Sequence, residues 1–321
     1  MSFVGVVGFG RGGRTPAVCS KTIEESGVTM RAAKIPDSRV AGKEYQKGDP
    51  ENAQEYFKSY VATHPGDWRI RKQWAEFESR NGALDHAVEI LEKAVEDFSS
   101  RSSLWSLLAS LEERCGNRKK AVVVYKKAIQ EAGECSCLLL PWAVLEAEVG
   151  NVKTARGIFQ KVIEQNATDK NAYQAWGHME FHAANDLAAA RAVFEQGTRC
   201  CPDAAGLWLA WAQLEDEAGD AKLSERYFCE AAMADPREGS IWHAWGLMEE
   251  RHGNFGRAEE LFEQGIVVAP STGSLWLAWG KMIERRGNIK KAQKIYLRGC
   301  MQDPSSKDIR RALHESETVG A

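Results

Sequence analysis

Among the side chains of this sequence that can do chemistry, few stand where chemistry would need them. His178 and His182 are four residues apart, a spacing that puts both imidazoles on one helix face and can grip a metal ion. The stretch reads HMEFH rather than H-E-x-x-H, however, and no third ligand is apparent. A formal G-x-G-x-x-G occurs at Gly8, Gly10 and Gly13, but Thr15-Pro16 follows where a dinucleotide site needs a helix to open. The eight cysteines (Cys19, Cys115, Cys135, Cys137, Cys200, Cys201, Cys229, Cys300) form no C-x-x-C pair and no spaced framework. They are therefore expected as free thiols of a reducing compartment. One glutamate recurs about every 34 residues, which leaves no two carboxylates at a separation useful for paired acid–base work. No Ser-His-Asp or Cys-His order and no phosphate-binding loop is recognisable. The sequence predicts no enzyme, no catalytic residue, no metal and no cofactor.

The glutamates and cations become intelligible once the elements that carry them are set in register. Glycines fall at 48, 82, 116, 150, 219, 253 and 287, with Asn185 in the place of an eighth. Successive spacings are 34, 34, 34, 35, 34, 34 and 34 residues. Before each lies an apolar helix with an inner aromatic (Trp74, Trp142, Trp176, Trp211, Trp245, Trp279; Leu108 in one unit) and a glutamate one turn later. An outer aromatic appears at Trp105, Tyr173, Trp208, Trp242 and Trp276. After each turn comes a second amphipathic helix, with alanine and a bulky residue in fixed register (Ala155 and Phe159, Ala258 and Phe262). Glycine adopts the left-handed backbone that ends a helix without a Cβ penalty. Each unit is thus a helical hairpin too small to bury its own apolar face, stabilised by stacking on its neighbours. The expected fold is all-α: a right-handed α-solenoid superhelix of tandem helix-turn-helix repeats, about eight units over residues 37–305.

A buried Trp removes about 150–250 Å² from water, roughly 4–6 kcal/mol gross at about 25 cal/mol per Å². Two such rings per hairpin suffice to hold the stack. The residues expected to define it best are Trp208, Trp211 and Glu215, Trp242, Trp245 and Glu249, and Trp276 with Trp279. The glutamates are expected to accept hydrogen bonds from a neighbouring turn or an arginine. The one-residue insertion between Glu180 and Ala190 is expected to loosen its turn. Residues 1–36 lie outside the register and read as a Gly/Arg-rich leader, part of a targeting peptide, or a truncated start. Residues 306–321 read as a polar helix end and tail.

The W-x-x-W-x-x-x-E helix, the G-N/D turn and the A-R-x-x-F/Y helix, clearest in Trp208–Phe228, Trp242–Phe262 and Trp276–Tyr296, resemble the half-a-TPR (HAT) repeat. Departures stand at Asp37, Val40, Arg71, Leu108, Leu139 and Ile283. The resemblance implies a protein of RNA metabolism. The even unit length is most similar to chloroplast factors that mature photosystem-II messenger RNAs, more distantly to suppressor-of-forked and pre-mRNA splicing members. It implies a chloroplast location, with the nucleus as the alternative.

The net charge of −3 argues against strong indiscriminate binding to nucleic acid but allows a local basic face. Such a face is legible at the start of the second helices: Lys119, Lys120, Lys153, Arg156, Arg191, Lys222, Arg226, Arg257, Lys290, Lys291 and Lys294. Stacked units would align these cations into a row able to track a single-stranded phosphate backbone. The expected function is therefore binding of single-stranded mRNA in support of its maturation or stability. The alternative is a protein–protein scaffold within an RNA-processing complex. No segment is apolar enough to span a membrane.

Overall fold

The structure, a computed structural model, describes residues 50–319. The leader, the Gly8–Gly13 motif, Cys19 and the first unit's Asp37, Val40, Glu44 and Gly48 lie outside them. The chain divides into two compact units between Tyr56 and Phe57. The described part of the first is only the start of helix α1 (Pro50–Thr63). The second holds everything that follows.

That unit is all-α. Seven hairpins run in order: α2 (Trp68–Arg80) with α3 (Leu84–Asp97), α4 (Ser102–Arg114) with α5 (Arg118–Ala132), and α6 (Ser136–Glu148) with α7 (Val152–Gln165). Next come α8 (Lys170–His182) with α9 (Leu187–Cys200), and α10 (Ala205–Glu217) with α11 (Ala221–Ala234). Then follow α12 (Gly239–Arg251) with α13 (Phe255–Val268), α14 (Gly273–Arg285) with α15 (Ile289–Gln302), and a last helix α16 (Lys307–Val319). Within each hairpin the first (A) helix packs on the second (B). Each B helix packs on the next A helix, and each A helix also touches the A helix of the next hairpin. This is a helical repeat solenoid, with a continuous core passed from unit to unit.

The turns form as the register predicts. Gly82, Gly116, Gly150, Gly219, Gly253 and Gly287 have φ between 79° and 92°, and Asn185 takes φ 53° in the irregular unit. The amide after each turn residue donates back to the carbonyl at the register glutamate position, as Asn151 to Glu146 at 2.8 Å and Asp220 to Glu215 at 2.9 Å, and in the last hairpin Asn288 to Ile283 at 3.2 Å. The insertion does not loosen its turn in this respect. Asp186 still donates to Glu180 at 2.8 Å, across one more residue than elsewhere. The tail is also more than a fraying end: Ile309 and Ala312 of α16 are buried against the α14–α15 core. The described array thus finishes on an A helix in register.

Candidate functional site

Two rows of polar tips tie the aromatics into the array. The inner indoles donate to the glutamate one turn later: Trp74 to Glu78 (3.0 Å), Trp142 to Glu146 (2.9 Å), Trp176 to Glu180 (2.8 Å) and Trp211 to Glu215 (3.0 Å). The outer residue donates to a carbonyl six residues back, in the loop that enters its own hairpin. Trp105 reaches Ser99 (2.7 Å), Tyr173 Ala167 (3.3 Å), and Trp208, Trp242 and Trp276 reach Pro202, Pro236 and Pro270 at 2.8–2.9 Å. Arg71, which departs from the aromatic pattern, makes the same bond to Pro65 at 3.3 Å.

The glutamates are buried, Glu215 completely. A buried carboxylate needs partners for its lone pairs. In three units the turn asparagine supplies one: Asn117 to Glu112, Asn151 to Glu146 and Asn254 to Glu249, at 2.7–2.8 Å. In two units an arginine from the preceding B helix does. Arg156 grips Glu180 through Nε (2.7 Å) and Nη2 (2.6 Å), and Arg191 grips Glu215 at 2.8 and 2.5 Å. In those two units the turn residue is an aspartate, Asp186 or Asp220, within 3.9 Å of the same guanidinium. The hydrogen bonds to the glutamates raise the pKa of both arginines, which stay charged.

This changes the reading of the basic row. All eleven candidates lie on the B helices, ten of them exposed and Arg191 half-buried, but four have carboxylate partners. Arg156 and Arg191 clamp the next hairpin. Lys291 pairs with Glu259, and Arg257 pairs with Glu260 at 3.1 Å while lying over the Trp245 ring. Among the described residues, no carboxylate lies in ion-pair reach of Lys119, Lys120, Lys153, Lys222, Arg226, Lys290 or Lys294. The row is interrupted rather than continuous.

The array offers two sizeable grooves. One, about 870 Å³, lies among α9, α10 and α11. It is lined by Arg191, Trp208, Trp211, Arg226 and Tyr227; Tyr227 stacks on Trp211 with ring centroids 3.9 Å apart. Tyr227 stands where other B helices carry an aliphatic residue (Val193, Leu261, Ile295). The other groove, about 650 Å³, is lined by A helices of three consecutive hairpins: Gln213 of α10, His243, Leu247, Glu250 and Arg251 of α12, and Arg285 of α14, with Phe255 and Arg286 beside them. Sequence reasoning missed it, because its charges pair across hairpins. Arg251 binds Asp216, and Arg285 binds Glu250 at 2.7 Å, each reaching 35 residues back. The repeated basic residue at the end of the A helix was the available signal. Arg286 lies over the Phe255 ring at 5.0 Å. Burial pushes the His243 imidazole below its ordinary pKa, so it is neutral at pH 7.

His178 and His182 stack at 5.8 Å. His178 is held below its ordinary pKa by burial and then by His182, while His182 faces Glu217 at 3.7 Å. Among the described residues no three His, Cys, Asp or Glu side chains are grouped to hold a metal. The cysteines require a correction: Cys135 and Cys137 form a disulfide, while Cys115, Cys200, Cys201, Cys229 and Cys300 are free. Weighing only C-x-x-C spacing missed the tighter C-x-C pair.

Comparison with known proteins adds the following. A tetratricopeptide repeat family model matches residues 44–111. No curated protein sequence matches. Among solved structures, yeast Tom70 superposes with TM-score 0.60 at 15% identity, over 84% of this chain and 58% of that one. A tetratricopeptide repeat protein from Parabacteroides merdae ATCC 43184 gives TM-score 0.49 at 18% identity, over 78% and 98% respectively. The likeness to Tom70 is one of fold: the chain is a tetratricopeptide-like helical repeat protein.

Proposed function

We propose that the chain is a non-catalytic protein-interaction scaffold whose groove along α10, α12 and α14 takes an acidic peptide with an apolar anchor. The observation that carries this reading is the lining of that groove. Leu247 and Phe255 offer apolar surface, neutral His243 adds no charge, and Arg251, Arg285 and Arg286 face two carboxylates, Asp216 and Glu250. One cationic charge is left over, on Arg286. An extended segment could contact three hairpins at once, which is how stacked repeats gain affinity from a shallow surface. The test is fluorescence anisotropy with labelled ten-residue peptides carrying Leu and Phe among either Glu or Lys. The Glu peptide is expected to bind, and Arg286→Glu to weaken it about tenfold, the scale of one well-placed charge. Equal binding of both peptides, or of neither, overturns the reading.

A second reading is favoured by Arg226, a cation without a carboxylate partner beside Trp208 and Tyr227 in the larger groove. Single-stranded RNA could stack bases on those rings while Lys119, Lys120, Lys153, Lys222, Lys290 and Lys294 follow its phosphates. The HAT resemblance leads the same way, to mRNA maturation in a chloroplast or, alternatively, a nucleus. Five neutralised phosphates give a log–log salt slope near −3.5, so a fourfold rise in salt weakens binding roughly a hundredfold. RNA binding with that slope, in place of peptide binding, would make this the function. A flat response would remove it.

A further inference from the structure

We propose that Cys135 and Cys137 are a reversible thiol–disulfide switch, opened and closed by a thiol of the glutathione class, that sets the order of the junction between α5 and α6. The argument comes from the repeat itself. Six hairpins, those beginning with α2, α4, α8, α10, α12 and α14, have their entry loop tied by the outer residue's bond to the carbonyl six residues back. In the hairpin of α6 the outer residue is Leu139, which has no polar tip to donate, and the carbonyl six back belongs to Gly133. In this loop alone the chain carries Cys135-Ser136-Cys137, closed as a disulfide.

Two further features mark the junction. Gly133 has φ 84°, the one positive-φ glycine among the described residues that lies outside a hairpin turn. Pro141, inside α6, has no N–H to give the carbonyl four residues earlier, which is that of Cys137. The first turn of α6 is therefore short of one ladder bond and lacks the side-chain tie, and the disulfide is the local covalent constraint.

The geometry also allows exchange. Cys137 is exposed, whereas Cys135 is half-buried against the core that includes Leu104, Leu138 and Leu145. A glutathione thiolate attacks the Cys137 sulfur, forming a mixed disulfide there and releasing Cys135 as thiolate. Cys135 is the N-cap of α6, where the helix dipole favours a negative leaving group. A second glutathione thiolate then displaces Cys137 and leaves as glutathione disulfide. Two electrons pass to the protein, and two protons are taken up on the cysteine sulfurs; glutathione disulfide reverses each step. Because the ring spans only three residues, it removes little loop entropy from the unfolded chain. The effect should be local to the junction.

The test uses the full chain equilibrated in glutathione buffers from fully oxidised to fully reduced, with mass spectrometry of the alkylated peptide bearing the pair and hydrogen exchange of amides 134–140. The pair is expected to gain two alkyl groups together as the buffer becomes reducing. Exchange of amides 134–140 should rise about tenfold, with the B helices α3 and α13 unchanged. Cys135→Ser should exchange fast in both buffers. Leu139→Trp, which restores the tying donor, should exchange slowly in both. The proposal is overturned if the pair alkylates in fully oxidising buffer, or if the disulfide forms and exchange at 134–140 is the same in both states. Cys135→Ser keeps the second outcome readable should Leu139→Trp fail to fold.

Discussion

Whether Arg191 is a structural clamp or a surface cation can be decided by mutation, and the answer bears on every claim about the basic row. Glu215 is completely buried and accepts from Trp211 at 3.0 Å and from Arg191 at 2.8 and 2.5 Å. Arg191→Met removes two of those three bonds and leaves a buried carboxylate with one neutral donor. Breaking a buried ion pair by removing one partner costs about 3–5 kcal/mol. The Arg191 side chain is 39% exposed, so water recovers part of that loss and the expected cost falls to about 2–3 kcal/mol. At 1.4 kcal/mol per decade, amide exchange in α10 should accelerate roughly 30- to 150-fold. Repeat arrays open locally, so exchange is read rather than a single unfolding midpoint. The control is Arg191→Met with Glu215→Ile, which copies what the chain itself does at Ile283. With the stranded charge gone, the double variant should recover most of the lost protection. If the single variant costs under about 1 kcal/mol, or the double is as exposed as the single, the clamp reasoning fails and Arg191 returns to the pool of available cations.

Two other predictions concern packing and pH. A Cβ on Gly280 would lie 2.1 Å from Tyr296 Cε1, and that ring is fully buried with its hydroxyl on Glu284 at 3.0 Å. Gly280→Ala should therefore cost about 1–3 kcal/mol in urea denaturation, whereas Gly256→Ala, with open space around it, should stabilise by roughly 0.4–1 kcal/mol. Burial holds His178 and His243 below the ordinary histidine pKa, so as pH falls past about 6.5 the unfolded chain binds protons that the folded chain does not. Stability contributed by these residues should be level above pH 6.5 and decline below it, and His243→Gln should lessen the decline between urea midpoints at pH 7.5 and 5.5.

Much of the fold was legible because the chain is, in effect, an alignment with itself. The turn glycines, the Asn185 substitute and the Trp–Glu pairs at i and i+4 all follow from spacing within one helix. What spacing hides is contact between helices. Arg156 and Glu180 are 24 residues apart, and nothing in a one-dimensional register says that the start of a B helix meets the middle of the next A helix. The clue was nevertheless present. Asn117, Asn151, Asn254 and Asn288 occupy the turn in four units and Ala83 in another, and among the described turns aspartate stands at Asp186 and Asp220, the turns after Arg156 and Arg191. At Asn117, Asn151 and Asn254 the uncharged amide goes with a glutamate lacking arginine; the extra acid appears where an extra cation must be balanced. The same logic accounts for Arg71, which lacks an aromatic ring but keeps the polar tip that the entry loop requires.

The irregular units show which part of the pattern is dispensable. Each inner tryptophan presents an N–H to the interior, and in four units the register glutamate satisfies it at the expense of burying a charge. Where Ile283 replaces the glutamate, the Trp279 N–H has no partner; Trp245 is in the same position beside Glu249, whose carboxylate accepts from Asn254. An orphaned buried donor costs about 1–3 kcal/mol, comparable to the desolvation that a poorly partnered carboxylate would suffer. The two arrangements can therefore coexist in one chain. The pairing between hairpins does not share this freedom: an arginine without its glutamate, or the reverse, strands a charge. Ring burial makes the repeats stack, and charge balance across the junctions decides which cations remain for a ligand.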